Sequence, residues 1–260
     1  MAVPFLSLAQ VRRRHVLAML MGLPFARVAK ASLRQEAARA AMLFGCAVRA
    51  DQLFADTDFR AAIVRECGEI TPELELKWDF VEKRAGTFDF SSADQLATFA
   101  AKQRKAMHGH CLLWHEGVPE WAAPRLAEEG GWALIERYVR AIVPRYRPVV
   151  QTWDVINEPI DVSGPEGLRA APFLNAFGAK YIARAFTLTN RLAPKAKLFI
   201  NEYGLLYDRP EDRAKRAGLL ALVQRLKRTG VPLHGIGVQA HLELQHQHHF
   251  NPAVFADFLN

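Results

Sequence analysis

The chain has 260 residues, 50% of them hydrophobic and 23% charged, which is ordinary for a soluble globular protein with a sizeable core. Its formal net charge of +7 suggests nucleic acid, yet residues 1–31 hold five basic side chains (Arg12, Arg13, Arg14, Arg27 and Lys30) and no acidic one. The remainder carries 29 basic against 27 acidic groups, a balance of +2, and has no aromatic–basic interleaving suited to nucleic acid.

Residues 1–31 have the layout of an export signal: Arg12–Arg14, the apolar run VLAMLMGLPFA, then Ala29-Lys30-Ala31 as a small-x-small cleavage site. The run is shorter than the ~20 residues of a spanning helix. The paired arginines match a twin-arginine signal only loosely, and a basic amphipathic leader is the alternative. A secreted or periplasmic location, with no membrane association after signal removal, is the expectation.

From residue 32 onward, apolar strand-like runs alternate with helical stretches. FGCAVRA (44–50) precedes a helical segment around 58–67, and GEITPELELKW (68–78) precedes SSADQLATFAAKQRK (91–105). AMHGHCLLWH (106–115) leads to GWALIERYVRAIVPRY (131–146), and VVQTWDVINEP (149–159) to a helix near 173–192. KLFINEYG (197–204) precedes EDRAKRAGLLALVQRLKRTG (211–230), and HGIGVQAHL (234–242) precedes NPAVFADFL (251–259). Apolar spacings of three and four mark the helices, as in Leu219, Leu220, Val223 and Leu226. Gly230 sits where a helix should stop, and Ser91 and Ser92 are candidate N-caps. Six strand–helix repeats predict an α/β fold with a parallel sheet, in one domain over 32–260. Six units are too few for a closed eight-stranded barrel, and the last helical pattern runs to the chain end, so an incomplete barrel is expected.

The strand ends carry polar and aromatic residues. Glu73, Lys77 and Trp78 follow the second strand, and His110, Trp114 and His115 the third. Asn157 and Glu158 end the fourth, Asn201, Glu202 and Tyr203 the fifth, and Gln239 and His241 the sixth. In a parallel barrel these ends converge on one face, which predicts a shared cleft. Pro159 cannot continue the ladder and leaves Glu158 at the rim. Core packing is the competing role for Trp78 and Trp114. Cys46, Cys67 and Cys111 have no metal-like spacing and read as buried thiols; a Cys46–Cys67 bridge is the alternative in an exported chain. His246, His248 and His249 lack an accompanying carboxylate or cysteine at ligand spacing and read as a loop, so no metal is expected. The sequence has no phosphate-binding glycine loop and no Gly-x-Ser-x-Gly elbow.

In PELELKWD, HGHCLLWH, WDVINEP, INEYG and GIGVQAHL, the chain resembles glycoside hydrolase family 10, the endo-1,4-β-xylanases, on a (β/α)8 TIM barrel. The resemblance covers about residues 40–260. It implies that Glu158 is the general acid/base and that Asn157 binds the sugar 2-hydroxyl. It further implies that Lys77, His110 and Trp114 hold the sugar on the non-reducing side, and that Gln239 and His241 support the nucleophile. Glu73, His115 and Tyr203 complete the expected substrate-binding set. Xylan or xylo-oligosaccharides are the implied partner, with no cofactor, and the complete protein is expected to be a monomer.

Retaining hydrolysis takes two carboxyl groups about 5–5.5 Å apart, one protonated at working pH. The pKa of Glu158 is therefore expected to be raised, by burial and by an anionic neighbour. Two departures from the family pattern stand out. Glu73 is followed by Leu74 where an amide is usual, which leaves room for another β-glycan as substrate. The family nucleophile belongs to a seventh strand that has no counterpart before Asn260, so the chain reads as truncated and inactive as written. Glu202 is a minor candidate for that role and a better one for support; Glu243 is weaker still. A rival of another class is a non-hydrolytic xylan-binding protein.

Overall fold

The computed structural model describes residues 31–259, so the export signal expected over residues 1–31 lies almost wholly outside it. Strands and helices alternate as the sequence predicts: α1 (Leu33–Arg39), β1 (Gly45–Val48), α2 (Ala50–Ala55), α3 (Thr57–Glu66), β2 (Glu69–Pro72), α4 (Trp78–Val81) and α5 (Ser91–Lys102). There follow β3 (Ala106–Gly109), β4 (Leu113–Trp114), α6 (Trp132–Tyr146), β5 (Val150–Asn157), α7 (Pro172–Phe177) and α8 (Lys180–Leu192). β6 (Lys197–Glu202), α9 (Pro210–Arg228), β7 (Gly235–Val238) and α10 (Pro252–Leu259) end the described chain.

Local chemistry sets these boundaries. Asp56 caps α3 by accepting from the Asp58 and Phe59 amides. α5 begins at Ser91, and it is Asp89, not a serine, that accepts from the Ser91 amide at 2.9 Å. The helix expected over 173–192 is two helices, because Gly178 takes the left-handed φ of 59° and breaks the ladder. α9 opens on Pro210, Glu211 and Asp212 and closes on Arg225, Lys227 and Arg228, complementing the helix dipole at both ends.

Every strand pairing is parallel, in the order β1-β2-β3-β5-β6-β7, with β4 added to β5 beyond the end of β3. The run expected as one strand over 106–115 is thus two pieces flanking an irregular turn. The helices connecting parallel neighbours pack on the sheet, and one continuous apolar cluster fills the space between them, including Leu96, Ile135, Tyr138, Trp153, Ile182, Phe186, Leu198 and Leu219. β5 lies deepest, with residues 153–157 all buried. The sheet is an incomplete (β/α)8 barrel: β1 and β7 are edge strands, and among the described residues they do not pair with each other.

Two glycines let the interior close. Gly109 faces Trp153 in register, and a Cβ there would lie 2.2 Å from the indole. Gly237 faces Asn201, whose amide oxygen would lie 2.4 Å from an added Cβ.

Candidate active site

The site forms where β4, β5, β6 and β7 end. Trp114 and Asn157 are register partners between β4 and β5, and Asn157 and Asn201 between β5 and β6. Immediately after β5 the backbone turns sharply: Glu158 has a positive φ of 55°, and its amide donates to the Asn201 carbonyl at 2.8 Å. The half-buried Glu158 carboxylate then meets three donors. Trp114 Nε1 reaches Oε2 at 3.0 Å, while Gln239 Nε2 and Asn157 Nδ2 reach Oε1 at 3.0 and 3.2 Å.

A second row holds the first. Asn201 Nδ2 donates to Asn157 Oδ1 at 2.8 Å, and His241 Nε2 lies 2.8 Å from Gln239 Oε1. Lys77 Nζ sits 4.4 Å from the Trp114 ring centroid, a cation–π contact on the flank. His115 packs edge-on against Trp114; burial and the Arg169 cation lower its pKa, which favours the neutral ring.

Burial pushes the Glu158 carboxyl up, but the Gln239 and Trp114 hydrogen bonds, with the charges of His115 and Arg169, outweigh it and hold the pKa below the ordinary 4.5. The sequence led us to expect a raised value. The expected burial is present, but the carboxylate contacts are neutral donors, and the charges acting with them lower the pKa.

His110 is held from beneath. Its Nδ1 lies 2.8 Å from Asp154 Oδ2, and His108 Nε2 reaches the same oxygen at 3.0 Å. Asp154 is buried; burial raises its pKa, but the two imidazoles more than reverse this and keep it ionised. For His108 burial opposes protonation, yet Asp154 carries its pKa above 6.5. Sequence reasoning passed over Asp154 and His108. The available signals were a lone acid within the apolar run WDVI, and two histidines in HGH spaced to face the same side of a strand.

The structure places the remaining candidates as follows. Trp78 is core, not a sugar platform: it is 1% exposed, stacks on Tyr138 at 5.3 Å and donates to Glu82. Glu73 follows β2 and is exposed; Glu75, two residues on, is buried and accepts from the Ala50 amide. Glu202 does not fit the nucleophile role. It is fully buried, with Oε1 taken by Lys215 Nζ (2.8 Å) and the Tyr203 amide (3.0 Å), and Oε2 by the Ile160 amide (2.9 Å). Burial raises its pKa despite Lys215. Its geometry is that of a strut between two rim loops. Tyr203 is part of the same corner, with Lys215 Nζ 3.2 Å from its ring centroid.

Cys46, Cys67 and Cys111 are free thiols, the last two buried. Among the described residues, no group of three or more His, Cys, Asp or Glu side chains is placed to hold a metal ion, and no helix is long and apolar enough to cross a membrane. The histidines at 246–249 form a short 3-10 turn in which His246 meets Glu243 at 3.2 Å.

Residues 32–259 match the family described as glycosyl hydrolase family 10. An endo-1,4-beta-xylanase A from a Caldicellulosiruptor species is 37% identical over 193 residues, covering 70% of this chain and 28% of the relative. A beta-1,4-xylanase from Dictyoglomus thermophilum is 37% identical over 175 residues, covering 67% and 48%. The solved structure of native xylanase 10B from Thermotoga maritima superposes with a TM-score of 0.78 at 28% identity, covering 88% of this chain and 68% of that one. The chain therefore spans about half or less of the length of these curated relatives. The match over residues 32–259, together with the parallel half-barrel and the residues gathered at its strand ends, establishes that this chain belongs to glycosyl hydrolase family 10.

Proposed function

We propose that this chain carries the acid/base half of a retaining endo-1,4-β-xylanase site, with Glu158 as general acid/base. The observation that carries the reading is the placing of Glu158 at the rim of β5, with Trp114, Gln239 and Asn157 on its two oxygens. In such a site Glu158 donates its proton to the leaving glycosidic oxygen as a second carboxylate attacks the anomeric carbon. It then takes a proton from the water that cleaves the glycosyl–enzyme bond. Asn157, His110, Lys77 and Gln239 supply directional hydrogen bonds to the sugar, while Trp114 and Tyr203 offer flat apolar faces. Glu73, His115 and His241 belong to the outer lining of the same cleft. The second carboxyl group is not among those in contact with Glu158, and an anionic group there is what would lift the Glu158 pKa into the range an acid catalyst needs. On this reading the 260-residue chain hydrolyses xylan poorly or not at all by itself.

A second reading, that of a non-hydrolytic xylo-oligosaccharide-binding protein, keeps the same donors around Glu158 with no second carboxylate in contact with it among the described residues. Reducing-sugar release from xylan, measured for the chain beside Glu158→Gln, tests the first. Activity that vanishes in the variant establishes the acid/base role. Its absence in both, with xylotriose still bound, favours the second. Cleavage of cellulose or mannan in preference to xylan would redirect the substrate class, and export of the full chain to the medium or periplasm would test the residue 1–31 signal.

A further inference from the structure

Glu158 is not held by its side chain alone. Eleven residues on, after the loop that follows β5, the chain returns and the Arg169 amide donates to the Pro159 carbonyl at 2.8 Å. Ile160 and Leu168 form an isolated bridge across this loop. The guanidinium then spreads over three acceptors. Nε donates to the Glu158 carbonyl (3.0 Å), and Nη2 to the Ile160 carbonyl (3.3 Å) and the Tyr203 hydroxyl (2.8 Å). The Tyr203 ring is fixed from another direction by Lys215, which is paired with Glu202, and Glu202 in turn accepts from the Ile160 and Tyr203 amides. The contacts close into a ring through Arg169, Tyr203, Lys215, Glu202 and Ile160, with the Glu158 carbonyl attached at Arg169.

Glu158 occupies a left-handed backbone conformation that a non-glycine residue adopts only when its surroundings impose it. A rigid planar fork with several donors can satisfy two carbonyls and a phenol at once; a single ammonium cannot match that geometry.

From this geometry we infer that Arg169 is a positioning residue, fixing the Glu158 turn and the Tyr203 ring as one unit while setting a positive charge behind the carboxylate. The inference rests on the acid/base reading of Glu158 for its catalytic meaning, but its physical content does not depend on sugar cleavage. Among the described residues, the titratable or charged groups that interact with Glu158 include Arg169, His115 and the Cys111 thiol, alongside the neutral donors Trp114, Gln239 and Asn157. Of the first three, Arg169 is the permanent cation.

The test uses the full chain with carboxyl-labelled glutamate, followed by NMR titration, with Glu158→Gln to assign the resonance. Arg169→Gln should move the Glu158 midpoint upward. Arg169→Lys should keep the midpoint near the parent value, because the charge is retained, while amide exchange at Ile160 and Asp161 quickens by roughly threefold or more as the fork is lost. A folded Arg169→Gln protein with an unmoved midpoint overturns the inference. If that variant does not fold, Arg169→Lys decides alone. A kept midpoint with faster exchange supports the assignment, and any other pattern overturns it. Neither readout needs xylan, so a failure here is separable from a failure of the hydrolase reading, which the Glu158→Gln activity assay addresses.

Discussion

Trp114 Nε1 donates to Glu158 Oε2 at 3.0 Å, joining the end of β4 to the turn beyond β5. The indole thus does two things at once: it offers a face to the cleft and helps keep the carboxylate ionised. A phenylalanine would keep the face and lose the donor. Trp114→Phe is therefore expected to raise the Glu158 pKa. With a folded-state pKa below the ordinary 4.5, Glu158 contributes stability that is present above that value and lost as pH falls through the lower one. The variant should lose roughly 1 kcal/mol at neutral pH, below the usual range for a hydrogen bond to a charged group because the site is half-exposed. Chemical denaturation at pH 7 and pH 4 checks this: the deficit should shrink at the lower pH.

The Asp154 network gives a second pH signature, of opposite sense at its two ends. Asp154 has its pKa lowered below 3.8, so its contribution is present above that value and fades as pH falls through the folded one. His108 has its pKa raised above 6.5, so its contribution is full below 6.5 and lost as pH rises through the folded value. Stability from this pair should therefore peak in the mildly acidic window between the two. Asp154→Asn should flatten that maximum and cost about 3 kcal/mol, since it leaves two half-buried imidazoles without their buried anion. Thermal midpoints measured against pH for both proteins decide it; a parallel displacement of the two curves would sink the assignment.

Why some of this could be read in the sequence and some could not follows from range. Strand and helix order, the Glu158 rim position and the crowd of polar strand ends were legible because each depends on local periodicity and on the rule that parallel strands end together. The partners of those residues were not. Asp154 looked like part of an apolar strand, and only the register with β3 brings His108 and His110 onto it. Trp78 lies only five residues from Glu73, but a single helical turn swings it into the core against Tyr138. Arg169 was overlooked because two of its three acceptors are backbone carbonyls, which leave no trace in residue types. The direction of the Glu158 pKa differs from the expected one because the Gln239 donor comes from 81 positions away and could not be read from local sequence.

Gly109 offers a test of the interior itself. The Trp153 ring is fully buried and occupies the space a Cβ at 109 would need, at 2.2 Å. Because the clash is with a large ring locked in the core, relief requires backbone movement. Gly109→Ala is expected to cost about 3 kcal/mol, the upper end for overpacking, and so to lower Tm by roughly 6–12 °C in a domain of this size. A differential scanning calorimetry trace unchanged within about 2 °C would show that the sheet can widen at β3 and β5 more readily than the packing implies.

The two sheet edges carry exposed apolar side chains where a barrel would close. Met42 and Leu43, just before β1, are 66% and 59% exposed, and Leu242 and Leu244, just after β7, are 80% and 87% exposed. Both edge strands also present unpaired backbone groups on their outer sides. Open parallel edges flanked by leucines favour edge-to-edge pairing, and neither edge has a proline or a lysine within the strand to discourage it. The 260-residue chain on its own should therefore self-associate as concentration rises. Light scattering coupled to size exclusion over a dilution series measures this directly. Paired substitution of Leu242 and Leu244 by lysine should shift the distribution toward monomer. A sharp unfolding transition in a strictly monomeric parent chain would overturn the expectation, because it would mean that the half-barrel manages its edges by other means.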